Sequence, residues 1–435
     1  MFGTDGIRGF PYKEPLTKKT LYKIGYSFAE YFKRKKNISN IFIAEDTRSS
    51  SKYIKNNIIK GINSAGVVVI RLNILPTASL SFFTRKYPES AAIMITASHN
   101  DYRYNGIKFI NTNGEKISKI DENEILKIFN KKSRLKVKKI NNITYENSIN
   151  EYADELIRCF DKPFKVRKRF VIDLSNGASF RSTPLILKKL GINAKFISKT
   201  PNGSNINRNC GVEDLSKIKK YVVKNKMDFG IAIDGDADRI VFVDRKGEEI
   251  QGDKIIFFLA KSLLKRKKKL ITTLMTNKAI DSHLNRKGID VIRTDVGDKN
   301  LSKRMNDTES LLGCENSGHY IFKQHLNTSD ANLTLLLLLE LLIKRKTDFD
   351  KISDLKLNPS VLKSFEVSKK VPLDSLKEIK YFANSFNKNN KKDGYLNIRY
   401  SGTENKIRIL IQHKKLEIIK RNIDVFATIL KELRL

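Results

Sequence analysis

The clearest chemical signal in this chain of 435 residues is three carboxylates at alternate positions, Asp234-Gly235-Asp236-Ala237-Asp238, followed by Arg239. They come directly after the apolar run 229–233, which reads as a strand. Small residues between the acids let a tight turn aim several hard oxygens at one hard cation, and Mg²⁺ suits such a set because it accepts a few carboxylates together with phosphate oxygens. An EF-hand does not fit, because counting from Asp234 puts Arg239 at its glycine position and Arg245 at its glutamate position. A bare surface turn is the bland alternative, and the mutual repulsion of three neighbouring acids argues against it.

Three more loops carry chemistry. The run 91–95 leads into Thr96-Ala97-Ser98-His99-Asn100. A strand end opening into a cleft is where a nucleophile is well presented, which makes Ser98 the candidate. Serine alone is a weak nucleophile, and its immediate neighbour His99 is expected to point the other way. A capping role for Ser98 stays open on this motif alone. Cys314-Glu315-Asn316-Ser317-Gly318-His319 again follows an apolar run and crowds donors and acceptors suited to a polyhydroxylated ligand; an ordinary loop histidine is the alternative for His319. Arg399-Tyr400-Ser401-Gly402-Thr403-Glu404, with Arg408 beyond it, offers hydroxyls, backbone N–H groups and two guanidinium forks for a phosphate, with a plain hairpin turn as the alternative. One ligand with phosphate and hydroxyl groups, one divalent metal and one serine add up to phosphoryl transfer through serine.

The elements that must position these loops follow from periodicity. Short Val- and Ile-rich runs alternate with longer amphipathic stretches, the pattern of βαβ units and a parallel or mixed sheet. A first block has strands at 40–44, 67–72 and 91–95 with helices at 52–64 and 78–86. A second has strands at 170–174, 194–197 and 229–233. A third has strands at 270–275, 290–293 and 310–314, then a helix at 333–344. The order then changes to strand 365–371, helix 373–385, strands 394–400 and 406–412, and helix 416–433, a small α+β unit. The polar stretches 131–149 and 347–359 read as linkers. The expected class is therefore α/β, with three similar mixed-sheet domains at 1–150, 151–253 and 254–358 and a smaller α+β domain at 359–435. The repeated scheme suggests internal duplication.

Composition bounds the function. Lys and Arg number 84 against 47 Asp and Glu, a formal charge of +37. Basic clusters at 33–36, 131–139, 162–169 and 261–269 sit at expected helix ends or connections, without the aromatic interleaving of a single-strand platform, so no nucleic-acid partner is expected. A general drift toward Lys, Asn and Ile explains the balance, and a basic surface still favours anionic small substrates. The longest apolar run, 333–343, contains Glu340 and falls short of the roughly 20 residues a membrane span needs, so no membrane association is expected. Residues 1–8 lack the basic and apolar regions of a secretory signal. Three scattered cysteines without CxxC spacing fit a reducing compartment, and the expected location is the cytoplasm.

Five motifs in order resemble those of the α-D-phosphohexomutase family: Phe2-Gly3-Thr4-Asp5-Gly6-Ile7-Arg8-Gly9, the Ser98 loop with Asn105-Gly106-Ile107-Lys108, the Asp234 loop, the Glu315 loop and the Arg399 loop. The resemblance spans the chain and implies four domains whose loops meet in a central cleft. It implies phosphate carried on Ser98, beside Mg²⁺ held by Ser98, Asp234, Asp236 and Asp238, and a sugar bisphosphate as intermediate and activator. Arg8, His99, Lys108 and Arg239 would stabilise charge at the transfer site, with Lys108 or His319 shuttling protons. Glu315 and Ser317 would take sugar hydroxyls. Arg399, Ser401, Gly402, Thr403 and Arg408 would hold the phosphate that is not reacting. Within the family, the wording of the Glu315 loop and of the N-terminal motif resembles members that interconvert glucosamine 6-phosphate and glucosamine 1-phosphate on the way to UDP-N-acetylglucosamine. Members acting on mannose and glucose phosphates are the alternative, and a basic relative that binds a partner without catalysis is a more distant one. A hexosamine phosphate is the expected partner, with the chain a monomer or a homodimer. Three departures stand out: Ala237 where the family generally has glycine, Asp295 where relatives often carry a basic residue, and an altered stretch at 323–331.

Overall fold

The computed structural model describes residues 1–3, 5–131, 138–161, 164–352, 355–401 and 405–433. Four sheets succeed one another along the chain. The first has six strands in the order Ile7–Gly9, Asn105–Ile110, Ser90–Ile95, Asn40–Glu45, Val68–Ile74, Ile143–Thr144. The second has five, Glu249–Ile250, Ile240–Asp244, Phe229–Ile233, Phe170–Asp173, Lys195–Ile197, and the third four, Asp290–Thr294, Lys269–Thr273, Leu312–Cys314, Tyr320–Phe322. Each is mixed: parallel strands joined through helices, closed by an antiparallel return. The fourth sheet, Ser360–Glu366, Lys406–His413 and Gly394–Tyr400, is wholly antiparallel and packs helices Lys377–Asn389 and Leu416–Glu432 around a core of its own. The three similar α/β units and the smaller α+β unit are as the sequence predicts.

In each of the first three sheets the motif loop occupies the same place, between a buried parallel strand and its antiparallel return. Ser90–Ile95 returns as Asn105–Ile110, Phe229–Ile233 as Ile240–Asp244, and Leu312–Cys314 as Tyr320–Phe322. The parallel strands are buried along their length, so backbone and side chains are held rigidly up to the residue where each loop begins. Behind them runs the helix Ala331–Lys344. Asp330 caps it by accepting from the N–H groups of Asn332 and Leu333, and its leucines are buried on every side within the large core shared by the first three sheets. A helix that is apolar all round belongs in such a place. Among the described residues no helix is long and apolar enough to cross a membrane.

Several sequence expectations shift. The strand expected at 365–371 lies at Ser360–Glu366, paired from Ser360↔Gln412 to Glu366↔Lys406. Adjacent Val361 and Leu362 disguise its alternation, and Leu362 faces solvent on the side of the strand away from the core that Val361 and Phe365 pack against. The helix expected at 373–385 divides into a short 3₁₀ turn, Leu373–Ser375, and the helix Lys377–Asn389. The stretch taken as a linker at 131–149 contributes the edge strand Ile143–Thr144 and the start of helix Ser148–Arg158. The short antiparallel returns were not expected from periodicity at all.

Candidate active site

Ser98 is buried at the end of strand Ser90–Ile95, with φ +52°, in the left-handed region. Its N–H donates to Thr96 Oγ1 at 2.8 Å, and its Oγ donates to Asp234 Oδ2, also at 2.8 Å. His99 does not turn away as expected, because Nδ1 lies 3.4 Å from Ser98 Oγ and 2.6 Å from Arg239 Nη2. Burial, followed by the guanidinium groups of Arg239 and Arg8, pulls the His99 imidazole down to about 3. A neutral ring taking a hydrogen bond from Arg239 has no lone pair left on Nδ1 to act as base toward Ser98.

The loop after Phe229–Ile233 places Asp234, Asp236 and Asp238 side by side, all buried, each with a carboxylate oxygen within 4.8 Å of the others. Asp234 Oδ1 accepts from the N–H groups of Asp238 and Arg239, which shapes the turn. Ala237 adopts φ +59°, a conformation that glycine takes freely and alanine with strain. Lys108 Nζ reaches Asp236 and Asp238 at 2.7 Å each and Asp5 at 3.1 Å. Burial works against the Lys108 ammonium, but these three carboxylates outweigh it and hold its pKa well above the usual range. Burial, then the neighbouring Asp238 and Asp236, pushes Asp234 up. Asp236 Oδ1 is buried without a hydrogen-bond partner among the described residues, and Asp238 Oδ1 meets only His319 Nε2, at 3.4 Å. An unsatisfied hard oxygen beside a carboxyl that resists ionisation is what a divalent cation satisfies, so the donor set fits one.

The third loop is closed by Glu315 N donating to His319 O at 2.8 Å. Glu315 is aimed from both ends: Oε1 accepts from Gly297 N at 2.7 Å, and Oε2 lies 2.8 Å from His319 Nδ1. The other ring nitrogen of His319 lies 3.4 Å from Asp238. Burial alone lowers the His319 pKa, but Asp238 and Glu315 reverse it and raise it to about 10. Arg8, Ser98, His99, Arg239, Glu315, Ser317 and His319 line one cleft of about 500 Å³, and Lys108 lies buried behind it. Negative and positive groups thus face one space of a size to take a sugar phosphate.

Arg399 and Arg408 stand directly opposite each other on adjacent strands of the fourth sheet. Burial and then the Arg408 charge depress Arg399, with Asp295 of the third unit opposing the shift. Asp295, a departure from the family pattern, therefore sits close enough to bear on Arg399. Ser401 is buried, with its N–H donating to Lys406 O and its carbonyl accepting from Lys370 Nζ. Gly402 and Thr403 lie outside the described residues, as do Thr4 and Glu404 of their motifs. Among the described residues, those of the fourth unit do not line the Ser98 cleft. That unit is tied to the third by Gln412 Oε1 accepting from Lys278 N at 2.7 Å and by Arg293 over the Tyr395 ring at 5.4 Å.

Motif reasoning missed several supporting groups. Lys116 bridges Asp5 and Asp298 across the first and third units, with Asp298 2.7 Å away. Thr77 N donates to Asp236 O at 3.0 Å. Asp46, Arg48 and Asn207 surround the Ser98 loop. Asp46-Thr47-Arg48 follows a strand just as the recognised motifs do, and that position was a usable signal; nothing local distinguishes Asn207.

Comparison with known proteins identifies the family and the fold. The family described as phosphoglucomutase/phosphomannomutase matches through its α/β/α domain I at residues 1–136, domain II at 150–247 and domain III at 251–358. The phosphoglucosamine mutase of Campylobacter hominis is 35% identical over 439 aligned residues, covering 98% of this chain and 97% of that one. A phosphoglucomutase/phosphomannomutase family protein from Burkholderia thailandensis superposes with a TM-score of 0.83 at 19% identity, covering 99% of this chain and 97% of that one. An Aspergillus fumigatus N-acetylphosphoglucosamine mutase, solved with GlcNAc-6P and magnesium, superposes with a TM-score of 0.69 at 15% identity, covering 100% and 96%.

Proposed function

The chain belongs to the phosphoglucomutase/phosphomannomutase family, and from that premise we propose that it interconverts glucosamine 6-phosphate and glucosamine 1-phosphate, an isomerase reaction that supplies UDP-N-acetylglucosamine synthesis. The observation that carries the reading is Ser98 Oγ hydrogen-bonded to the acidic triad on the wall of a cleft whose far side presents Glu315, Ser317 and His319. Full-length similarity to a phosphoglucosamine mutase at 35% identity supports the choice of sugar.

Ser98 carries a phosphoryl group. Its P–O bond breaks as a bond forms to O1 of glucosamine 6-phosphate, giving a 1,6-bisphosphate. The bisphosphate turns end for end, its 6-phosphoryl group returns to Ser98 Oγ, and glucosamine 1-phosphate leaves. Asp234, Asp236, Asp238 and the Ser98 oxygen would hold Mg²⁺, which would draw charge from the transferring group. Arg8, Arg239 and the neutral His99 place donors around the same oxygens, where charge develops. Lys108 or His319, each held protonated by its carboxylate partners, gives a proton to the leaving oxygen and recovers one from the attacking hydroxyl as the acceptor switches. Glu315 and Ser317 orient the ring hydroxyls. Arg399, Ser401, Gly402, Thr403 and Arg408 would hold the distal phosphate once the fourth unit meets the Ser98 cleft, which its described residues do not line here. The free cysteines Cys159, Cys210 and Cys314 suit the cytoplasm as the place of reaction.

The test is a coupled assay with glucosamine 6-phosphate, Mg²⁺ and a trace of sugar bisphosphate, reading glucosamine 1-phosphate and free phosphate together. Formation of the 1-phosphate without phosphate release is expected. Net release would make the protein a phosphatase, and no isomerisation by protein carrying phosphate on Ser98 would turn the reading to another hexose phosphate.

A further inference from the structure

We infer that Arg48 and Asn207 are positioning residues for Ser98, pinning its loop from the first and second units so that only the side-chain torsion stays free during phosphoryl transfer. The inference rests on Ser98 being the phosphoryl carrier.

Arg48 is 3% exposed and forms an ion pair with Asp46, Nε to Oδ2 at 2.9 Å, in which both side chains are fully buried. A guanidinium so placed has only to be neutralised, and one carboxylate does that. Its remaining donors go elsewhere: Nη1 donates to the carbonyls of Asp101 and Tyr104, Nη2 to those of Ser98 and Asn100. Four carbonyls of one short loop converge on one planar fork, an arrangement the single point charge of lysine does not reproduce.

From the other unit Asn207 Nδ2 donates to Ser98 O at 2.7 Å and Asn100 O at 3.0 Å, two of the same four carbonyls. Asn207 is itself fixed, because its N–H donates to Ser175 O at 2.9 Å. On the opposite side of Ser98, Asp46 accepts from Thr96 Oγ1 at 2.7 Å, and Thr96 Oγ1 accepts from Ser98 N. Asp46 thus ties the two halves together. The peptide group before Ser98 is held through Thr96 and the one after it by Arg48 and Asn207.

This clamp has work to do. Ser98 sits at φ +52°, which disfavours a residue with a side chain, so the loop does not hold that shape unaided. The Oγ must also return to an in-line position twice per cycle, once as leaving group and once as nucleophile. A misplacement of about 1 Å lowers such a rate by about a hundredfold.

The test uses Asn207→Ser and Arg48→Lys in the full chain. Serine is neutral, too short to reach either carbonyl, and tolerated at the positive φ of Asn207, as Ser98, Ser175 and Ser198 show in this fold. Expected for Asn207→Ser is a kcat loss of about tenfold or more, with KM within about threefold, because binding groups are untouched while the transfer geometry loosens. Amide hydrogen exchange over 97–104 should speed up while strand Ser90–Ile95 keeps its protection. Arg48→Lys should do the same more strongly. If folded Asn207→Ser keeps wild-type kcat and wild-type exchange, or if Arg48→Lys loses only thermal stability while its folded molecules turn over normally, the inference is overturned. A wild-type chain with no mutase activity would sink the functional reading instead, and the exchange comparison, which needs no turnover, would still decide the pinning.

Discussion

Gly235 sits where the metal loop and the Ser98 loop touch, and Gly235→Ala measures how closely that contact is set. A Cβ at this position would lie 2.6 Å from Ser98 O, 2.8 Å from Asn207 Nδ2 and 3.0 Å from Ile206 Cδ1. The backbone of Gly235 is not in the left-handed region, so the alanine is excluded by space alone. Ordinary contact begins at 3.4 Å, which leaves the methyl about 0.8 Å too close to a backbone carbonyl. The carbonyl is bonded to Arg48 and Asn207 and cannot swing aside without breaking those bonds, so the two loops must part. Overpacking of this kind destabilises by about 1–3 kcal/mol, tolerable for a chain with cores this large. The catalytic effect is larger, because a shift approaching 1 Å between phosphoryl donor and its charge-stabilising groups lowers kcat by about a hundredfold. The assay is glucosamine 6-phosphate turnover at saturating substrate and Mg²⁺, with a magnesium titration alongside. Asp234 and Asp236 move with their own loop, so kcat should fall well before the apparent magnesium affinity does. A folded Gly235→Ala protein with kcat within twofold of wild type would refute the contact as a determinant of rate.

Ser98→Ala should fold normally and lose mutase activity by at least about a thousandfold, since the carrier of the phosphoryl group is gone; wild-type-like turnover would end the assignment. Asp236→Asn replaces one charged donor of three, and the magnesium midpoint should rise by about tenfold or more, whereas an unchanged titration would remove Asp236 from the metal set. Asp330, which caps the buried leucine helix and accepts from Tyr152 at 2.7 Å, is raised to about 6, chiefly by burial. The folded chain then holds this proton more tightly than the unfolded one, so stability declines as pH rises from about 4 through 6, by about 3 kcal/mol at neutrality. Asp330→Asn keeps a good cap without the charge, and thermal melts should show that slope flattened; an identical slope in the variant would contradict it.

The parts of this protein that could be read from sequence are those whose signal is local. Continuous apolar runs mark the parallel strands because burial on both faces demands them, as at 229–233 and 91–95. The motif loops stood out because a strand end with clustered acids, hydroxyls or arginines is chemically improbable as filler. Strand Ser360–Glu366 was displaced in the reading because only one of its faces packs on the core, and Leu362 on its open side blurs the period. Of the antiparallel returns, Asn105–Ile110 is disguised by Asn105, Gly106 and Lys108 within its run and Tyr320–Phe322 is only three residues long, whereas Ile240–Asp244 carries an apolar run that was legible.

By itself the sequence determined the fold class, the four-unit order and the identity of the residues at the strand ends, since each rests on neighbours within a few positions. Only the tertiary structure decided which of those residues meet. Ser98 and Asp234 are 136 positions apart yet share a hydrogen bond. Lys108 belongs to the first unit, and its ammonium lies between two aspartates of the second. Burial presses the pKa values of both His99 and His319 down; guanidinium groups add to that at His99, while two carboxylates reverse it at His319, all of them remote or oriented by the fold. Charge interactions and hydrogen bonds fall off within a few ångströms, so what a side chain does chemically depends on distances that only the packed chain sets.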